Sequence, residues 1–331
     1  MIILGIESTA HTFGIGVVDA RKECKILANE RATFTTESGG MIPSKVAQHH
    51  IDVSDTLISK ALKKSGLKIN DVDLIAYSES PGIGHSLRIG AMIARTLAKR
   101  INKPIIGVNH CIAHQEIGSA VTKAKDPILL YVSGANTQVI AFESGKYRIF
   151  GETLDIGIGN FLDSFARALN LGFPGGPKIY ELGLDGKNFI ELPYVVKGMD
   201  VSFGGILTNL KQKIKSGKYK PADLCYSAQE TVFSMMIEVA ERALAHCDKN
   251  ELLLGGGVAC NKRLQEMAKQ MCKDRKAKCY ILPNELNVDN GVMIAWLGYL
   301  MYVKGKKKST PLNKAGIRPY IRTDEVEVYW K

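Results

Sequence analysis

The sequence predicts an α/β protein in which one plan is used twice. Strand-like apolar runs alternate with helix-like stretches along the 331 residues. Two segments, "IILGIESTAHTFGIGVV" (2–18) and "PILLYVSGANTQVIAF" (127–142), both read as strand, turn of small polar residues, strand. Glycine-rich turns follow strands at "PGIGHS" (81–86), "VSGANT" (132–137) and "LLLGGGVACN" (252–261).

In chain order, "MIILGIES" and "FGIGVVDA" are β runs around the turn "TAHT". A helix is expected over residues 44–65, with Pro43 at its start, where a missing N–H costs nothing. "VDLIAYSES" reads as a buried strand leading through a glycine turn into the apolar helix "LRIGAMIARTLAKR". "KPIIGV" is a further strand, followed at once by "NHCIAHQ". The second half opens with its own hairpin. Then come an amphipathic helix in "GNFLDSFARAL", a short helix after "GFPGGP", and a long helix over residues 226–247. "ELLLGGGVACNKRLQEMAKQM" and "AKCYILPNELNVDNGVMIAWLGYLMY" each read as strand, turn or loop, helix. The division expected is a first lobe over 1–120, to which the C-terminal tail can return, and a second over 121–303. Residues 304–331 are expected to form a basic, partly irregular tail, a candidate linker to a further domain.

The hydrophobic fraction is 45% and the charged fraction 23%, an ordinary globular balance. No charged-then-apolar leader opens the chain, and no apolar run approaches the ~18 residues of a membrane span. The seven cysteines (24, 111, 225, 247, 260, 272, 279) are odd in number and lack CxxC spacing, which argues against a disulfide framework or a cysteine–zinc knuckle. A cytoplasmic protein with reduced thiols and no membrane partner is the expectation. The net charge of +11 fits a polyanionic partner and fits a lysine-rich surface equally. Its local runs, "LAKR" (97–100), "KQKIKSGKYK" (211–220) and "KGKKK" (304–308), have no aromatic interleaving of the single-strand stacking kind.

His110 and His114 are four residues apart, on one helical face, and two imidazoles so placed can share a metal ion. The pair alone supplies too few ligands. Cys111 points elsewhere, and its place beside His110 excludes the HExxH arrangement. Asp289, just before an apolar helix, is a helix cap by position or a ligand by chemistry; Tyr131 is a packed strand tyrosine or a ligand. The glycine turns allow backbone N–H groups to approach a phosphate, although none has the GxxxxGK[ST] or Rossmann spacing.

Taken in order, "IESTAHTFGIG", "SPGIGHSLRIG", "IIGVNHCIAHQEIG", "LYVSGANTQV", "ETLDIGIGNFLDSFAR", "PGGPKIYELG", "DVSFGGILT", "GGGVACN" and "DNGVMIAW" resemble the universal tRNA threonylcarbamoyladenosine transferase family over nearly the whole chain. That family includes bacterial TsaD and the catalytic subunit of the archaeal and eukaryotic KEOPS complex; "AHTFG" and "LYVSG" lean to the archaeal-type branch. The resemblance implies the ASKHA fold of actin, heat-shock ATPases and sugar kinases, duplicated into two lobes with a nucleotide cleft. It implies transfer of threonylcarbamoyl from threonylcarbamoyl-AMP to the exocyclic amine of the adenosine 3′ of the anticodon in tRNA. It implies one divalent metal ion, iron or zinc, on His110, His114, Tyr131 and Asp289. It places an adenine nucleotide (threonylcarbamoyl-AMP, or ATP and ADP analogues) on Ser133, Gly134, Asp163, Gly176, Tyr180, Gly257 and Asn261, with Asp163 on the ribose. Implied partners are tRNA, a small atypical protein kinase (fused C-terminally in some members), a cystatin-like subunit and a small dimerising subunit.

The chain departs from the family pattern at three places. Ala135 replaces a glycine, which would cost about 1 kcal/mol if that position needs a positive φ. Tyr180, beside Glu181, stands where relatives carry a ribose-contacting glutamate, and "SFGG" replaces "SFSG". In the expected mechanism the metal acts as a Lewis acid and the Ser133 and Gly134 N–H groups receive the leaving phosphate. Glu7 and His11 are the candidate catalytic groups, placed to contact substrate or take the amine proton, with His11 alternatively a packing or capping residue. Competing readings are a glycoprotease-type metalloprotease, an ASKHA sugar kinase, with Glu7 nearest the usual first-turn aspartate, and a non-catalytic assembly subunit.

Overall fold

A computed structural model of the chain describes residues 1–36, 41–306 and 308–331. Lys307, inside the basic run 304–308, lies outside the described residues.

The first half builds one sheet and three helices: β1 (Ile2–Glu7), β2 (Thr12–Asp19), β3 (Lys25–Thr33), α1 (Pro43–Ser65), β4 (Leu74–Ser80), α2 (Gly84–Ile101), β5 (Ile105–Asn109) and α3 (His110–Thr122). The second half continues with β6 (Ile128–Val132), β7 (Thr137–Glu143), β8 (Lys146–Glu152), α4 (Ile158–Ala168) and α5 (Gly175–Gly183). A small hairpin, β9 (Val196–Lys197) and β10 (Asp200–Val201), precedes α6 (Gly204–Ser216) and α7 (Pro221–His246). Then come β11 (Glu251–Gly255), α8 (Lys262–Asp274), β12 (Lys278–Ile281), α9 (Asn284–Asn287) and α10 (Gly291–Lys304).

The two large sheets share one topology. Their orders are β3-β2-β1-β4-β5 and β8-β7-β6-β11-β12. In each, the first three strands are antiparallel and the last two run parallel to the opening strand. The repeat read from the two hairpins is therefore a repeat of whole sheets. Each sheet has a third antiparallel strand, β3 or β8, that the sequence reading did not name. Both carry exposed polar residues and lack the apolar run that marks their neighbours.

Chain order misleads at the C-terminus. Helix α10 follows the second sheet but packs on β1, β2 and β4 of the first, where the expected division put it with the second lobe. Glycine makes this possible. A Cβ on Gly291 would lie 2.1 Å from Gly16 N and 2.6 Å from Gly5 O, so α10 begins flat against the paired residues Gly5 and Gly16. The tail packs back onto the body of the molecule. Trp330 is only 3% exposed and sits in the core that surrounds α3. Among the described residues, no helix is long and apolar enough to cross a membrane.

Inside the first half, α1 is tied to the first hairpin by His50, whose Nε2 lies 3.0 Å from the Ala10 carbonyl oxygen. Burial, with His49 and His11 nearby, pushes its pKa from the usual 6.5 down to about 4. The unfolded chain binds that proton near pH 6.5 and the folded chain only near pH 4. The stability this group confers is therefore complete above pH 6.5 and is lost as pH falls towards 4. The expected loss is roughly 3 kcal/mol. Urea unfolding at pH 7.5 and pH 4.5 should show it, and His50→Phe should flatten the difference. An unchanged pH dependence in that variant contradicts this assignment.

Candidate metal centre and nucleotide cleft

Helix α3 starts at the histidine pair because Asn109, the last residue of β5, caps it. Asn109 Oδ1 accepts the Ile112 N–H at 3.1 Å. His110 then lies in the first turn and His114 one turn on, with ring centroids 4.8 Å apart at 81°.

Two residues from other elements complete the group. Tyr131 comes from β6, in the opposite sheet, and its hydroxyl is 3.0 Å from His110 Nε2. Asp289 precedes α10, and its Oδ1 is 3.4 Å from His110 Nε2 and 3.5 Å from His114 Nε2. The ligand atoms of His110, His114 and Asp289 all lie within 4.8 Å of one another. The capping alternative for Asp289 fails, because the cap is its neighbour. Asn290 Oδ1 accepts the Met293 N–H at 3.1 Å, leaving Asp289 free to face the histidines.

The four residues fit a metal ion. His114 is fully buried, and neither ring nitrogen has a hydrogen-bond partner among the described residues. At 3.5 Å, its contact with Asp289 is electrostatic and too long for a good hydrogen bond. A buried imidazole left without partners is costly, and a ligated ion removes that cost. Two imidazole nitrogens, a phenol oxygen and a carboxylate suit a borderline divalent ion.

Behind His110 stands Glu7, at the end of β1. It is 0% exposed, with Oε2 2.9 Å from His110 Nδ1. Its Oε1 accepts from the Thr9 N–H at 2.6 Å and the Thr9 hydroxyl at 2.5 Å. The expectation for Glu7 is contact with substrate or uptake of the amine proton; its observed partners are within the protein. Both oxygens are engaged and no surface is open to a substrate. The geometry is a carboxylate–histidine pair that directs the Nδ1 proton towards Glu7 and turns Nε2 towards Tyr131 and Asp289. Thr9 was not read from the sequence, since nothing in "ESTAHT" separates it from its neighbours.

The charges of the group follow from these contacts. Burial disfavours a charged His110, but Glu7 and Asp289 outweigh it and hold its pKa well above the usual imidazole value. Burial keeps His114 below that value, against the pull of Asp289. For Asp289, burial is overcome by His110 and His114, which hold its carboxyl well below the usual range. Burial, with Cys111 and Asp289 nearby, lifts the Tyr131 phenol well above its usual value.

His11 lies apart from this group. Its ring meets Phe173, from the loop before α5, edge-on at 5.6 Å. This contact joins the first hairpin turn to the other half of the molecule.

Of the expected nucleotide residues, Ser133 and Gly134 follow β6, Gly257 and Asn261 follow β11, and Asp163, Gly176 and Tyr180 lie on α4 and α5; in open α/β sheets ligands bind at such carboxyl ends. Gly256, at φ +94°, lets the triple-glycine turn pass against β6; a Cβ there would lie 2.4 Å from Val132 O. Beside it, Gly257 has nothing within 4 Å of a Cβ position and leaves open space. Asp163 Oδ1 accepts the Gly175 N–H at 2.7 Å, and Gly176 follows at the first turn of α5. Burial raises the Asp163 pKa, while the Gly175 N–H and nearby His11 pull the other way. Tyr180 lines a cleft of about 250 Å³ with Gly183, Tyr226, Gln229, Glu230 and Arg263.

Two expected contacts are used otherwise. The Ser133 N–H donates to Asn136 O at 2.8 Å, so it closes its own turn and does not face a phosphate. The Ser133 and Gly134 carbonyls accept from the N–H groups of Gly159 and Asn160, pinning the turn to α4. Asn261 caps α8, accepting from Arg263 N at 2.9 Å, and its amide donates to Gln229 Oε1 at 2.9 Å. Ala135 does not have a positive φ, so replacing the family's glycine there costs no backbone strain.

A family model described as TsaD, tRNA N6-adenosine threonylcarbamoyltransferase, matches residues 24–296. The chain belongs to this family. A Thermococcus kodakarensis tRNA N6-adenosine threonylcarbamoyltransferase is 54% identical over 330 residues, covering 100% of both chains. The Bos taurus protein of the same name is 48% identical over 336 residues, covering 99% of each. A Methanocaldococcus jannaschii "probable bifunctional tRNA threonylcarbamoyladenosine biosynthesis protein" is 51% identical over 330 residues, and there this chain spans 60% of the longer protein. Among solved structures, HypF from T. kodakarensis matches with a TM-score of 0.65 at 17% identity, over 92% of this chain and 48% of that one. Component A of (R)-2-hydroxyglutaryl-CoA dehydratase from Acidaminococcus fermentans matches at 0.57, also at 17% identity, over 92% of this chain and 100% of that one. These structural likenesses concern the fold alone, the ASKHA arrangement that the motifs implied.

Proposed function

We propose that the chain moves a threonylcarbamoyl group from threonylcarbamoyl-AMP to the exocyclic amine of the adenosine 3′ of the anticodon in tRNA. Membership of the family supports this activity over the peptidase and sugar-kinase readings. The observation that carries the site is the convergence of His110, His114, Tyr131 and Asp289 from both halves of the molecule. A peptidase reading also lacks its general base, because Glu7 is buried on the far side of His110.

In the reaction the adenine nitrogen forms a bond to the carbamoyl carbon. The bond from that carbon to the AMP phosphate oxygen breaks and AMP leaves, while the proton released by the amine passes to the departing phosphate or to water. Iron or zinc, when bound to the four residues, supplies Lewis-acid stabilisation of the charge that develops there. Glu7 holds His110 in the ligating tautomer. Asp163 keeps one oxygen on Gly175 and offers Oδ2, which takes no hydrogen bond among the described residues, to the ribose. Open space at Gly257 admits the nucleotide against the backbone. The net charge of +11 favours approach of the tRNA polyanion.

We assign the chain as the catalytic subunit of a KEOPS-like complex in the cytoplasm, working with a small atypical kinase, a cystatin-like subunit and a small dimerising subunit. The relative named as bifunctional, of which this chain spans 60%, supports a second activity working beside this one. The test is transfer of labelled threonine to tRNA with the activating enzyme and these partners supplied. Native protein should label tRNA and the His110→Ala/His114→Ala variant should not. Equal labelling by both contradicts the site.

A further inference from the structure

Residues 310–331 form a strap that fastens to both large sheets. Thr310 N donates to Ile105 O at 2.8 Å, the Tyr77 hydroxyl to Gly316 O at 2.9 Å, and Arg318 pairs with Glu79 at 2.8 Å. These contacts lie on the first sheet. The strap then crosses to the second, where Arg322 pairs with Glu152 of β8 at 2.9 Å. It ends with Lys331 Nζ 4.8 Å from the Phe142 ring and 5.2 Å from the Tyr147 ring.

The last anchor reaches the helix that carries the histidines. Glu116 of α3 is 6% exposed, and a carboxylate buried so far needs donors. It receives two on one oxygen: the Tyr147 hydroxyl at 2.5 Å and the Trp330 indole N–H at 2.7 Å. Glu116 follows His114 by two residues, which is about 200° around a helix. The imidazole therefore faces the metal centre while the carboxylate faces the strap on the opposite side. Trp330 also belongs to the same hydrophobic core as Cys111, Ile112, Tyr131 and Val292.

We propose that Trp330 is a positioning residue for the metal centre: by holding Glu116 it sets the rotation and depth of α3, and with them His110 and His114. The inference rests on the four-residue centre proposed above.

Trp330→Phe keeps the ring and removes the donor. Zinc affinity is read by chelator competition on the full chain, with Zn(II) alone as the probe. The variant should bind roughly tenfold more weakly, and excess Zn(II) should restore transfer to the native rate. Tyr147→Phe, which removes the other donor to Glu116, should weaken binding in the same direction and serves if Trp330→Phe does not fold. Leu210→Ala, in the separate core around α6, destabilises the protein but should leave zinc affinity native. Native affinity in Trp330→Phe, or an equal loss in Leu210→Ala, overturns the role of the strap. A native chain that binds no zinc overturns the metal reading instead.

Discussion

Asp289→Ala should abolish threonylcarbamoyl transfer, by about 10³-fold or more, and strip the bound metal, while the protein stays folded. A Lewis-acid ion stabilises the developing charge by several kcal/mol, which corresponds to a rate loss of this order when it is removed. The fold survives for a specific reason. The cap of α10 is Asn290, and the close approach of α10 to the first sheet is made by Gly291, so neither depends on the Asp289 side chain. Glu7 remains to balance His110. Transfer, metal content and thermal unfolding of one preparation check this together. A folded, metal-free variant with native transfer contradicts the metal assignment, and an unfolded variant contradicts the account of α10.

Glu7→Gln should weaken metal binding by about 10- to 100-fold, the usual effect of losing the carboxylate behind a ligating histidine. Glutamine keeps the shape and can still accept from Thr9, but it removes the charge that fixes the His110 tautomer. Transfer should then recover as metal is added. This separates two roles for Glu7. If metal affinity is native and transfer is lost at every metal concentration, Glu7 acts on the substrate, as the sequence alone suggested.

Much of the fold was legible because its signals are local. The two hairpins, the helix after Pro43 and the strand–turn–helix units all announce themselves by apolar period and turn residues. What was missed is non-local or ambiguous. The strands β3 and β8 expose polar residues and look like loops. Helix α10 packs on the sheet formed first in the chain, which no local pattern encodes. The tail's return was open in the sequence, but its anchors, Tyr77, Glu79, Glu116 and Glu152, are all distant from it and no local pattern names them.

The site was legible in the same uneven way. The histidine pair stands out by spacing, but Tyr131 sits in a strand buried on both faces, where alternation is silent about direction. Asp289 and Asn290 are equally good caps by type, so only the structure assigns the cap to one and frees the other. The Ser133 N–H and the Asn261 side chain fit phosphate or base chemistry by motif. Their partners in the fold, Asn136 O for Ser133 and the first turn of α8 with the Gln229 side chain for Asn261, are groups that sequence cannot rank against a ligand.

One metal ion is proposed to join the two halves of the molecule through His110, His114, Tyr131 and Asp289. X-ray absorption at the metal edge of zinc- or iron-loaded full-length protein measures it most directly. One ion per chain is expected, with the outer-shell signature of two imidazoles, both lost in the His110→Ala/His114→Ala variant. A first shell of oxygen donors alone, a sulfur ligand, or a spectrum unchanged in that variant would contradict it.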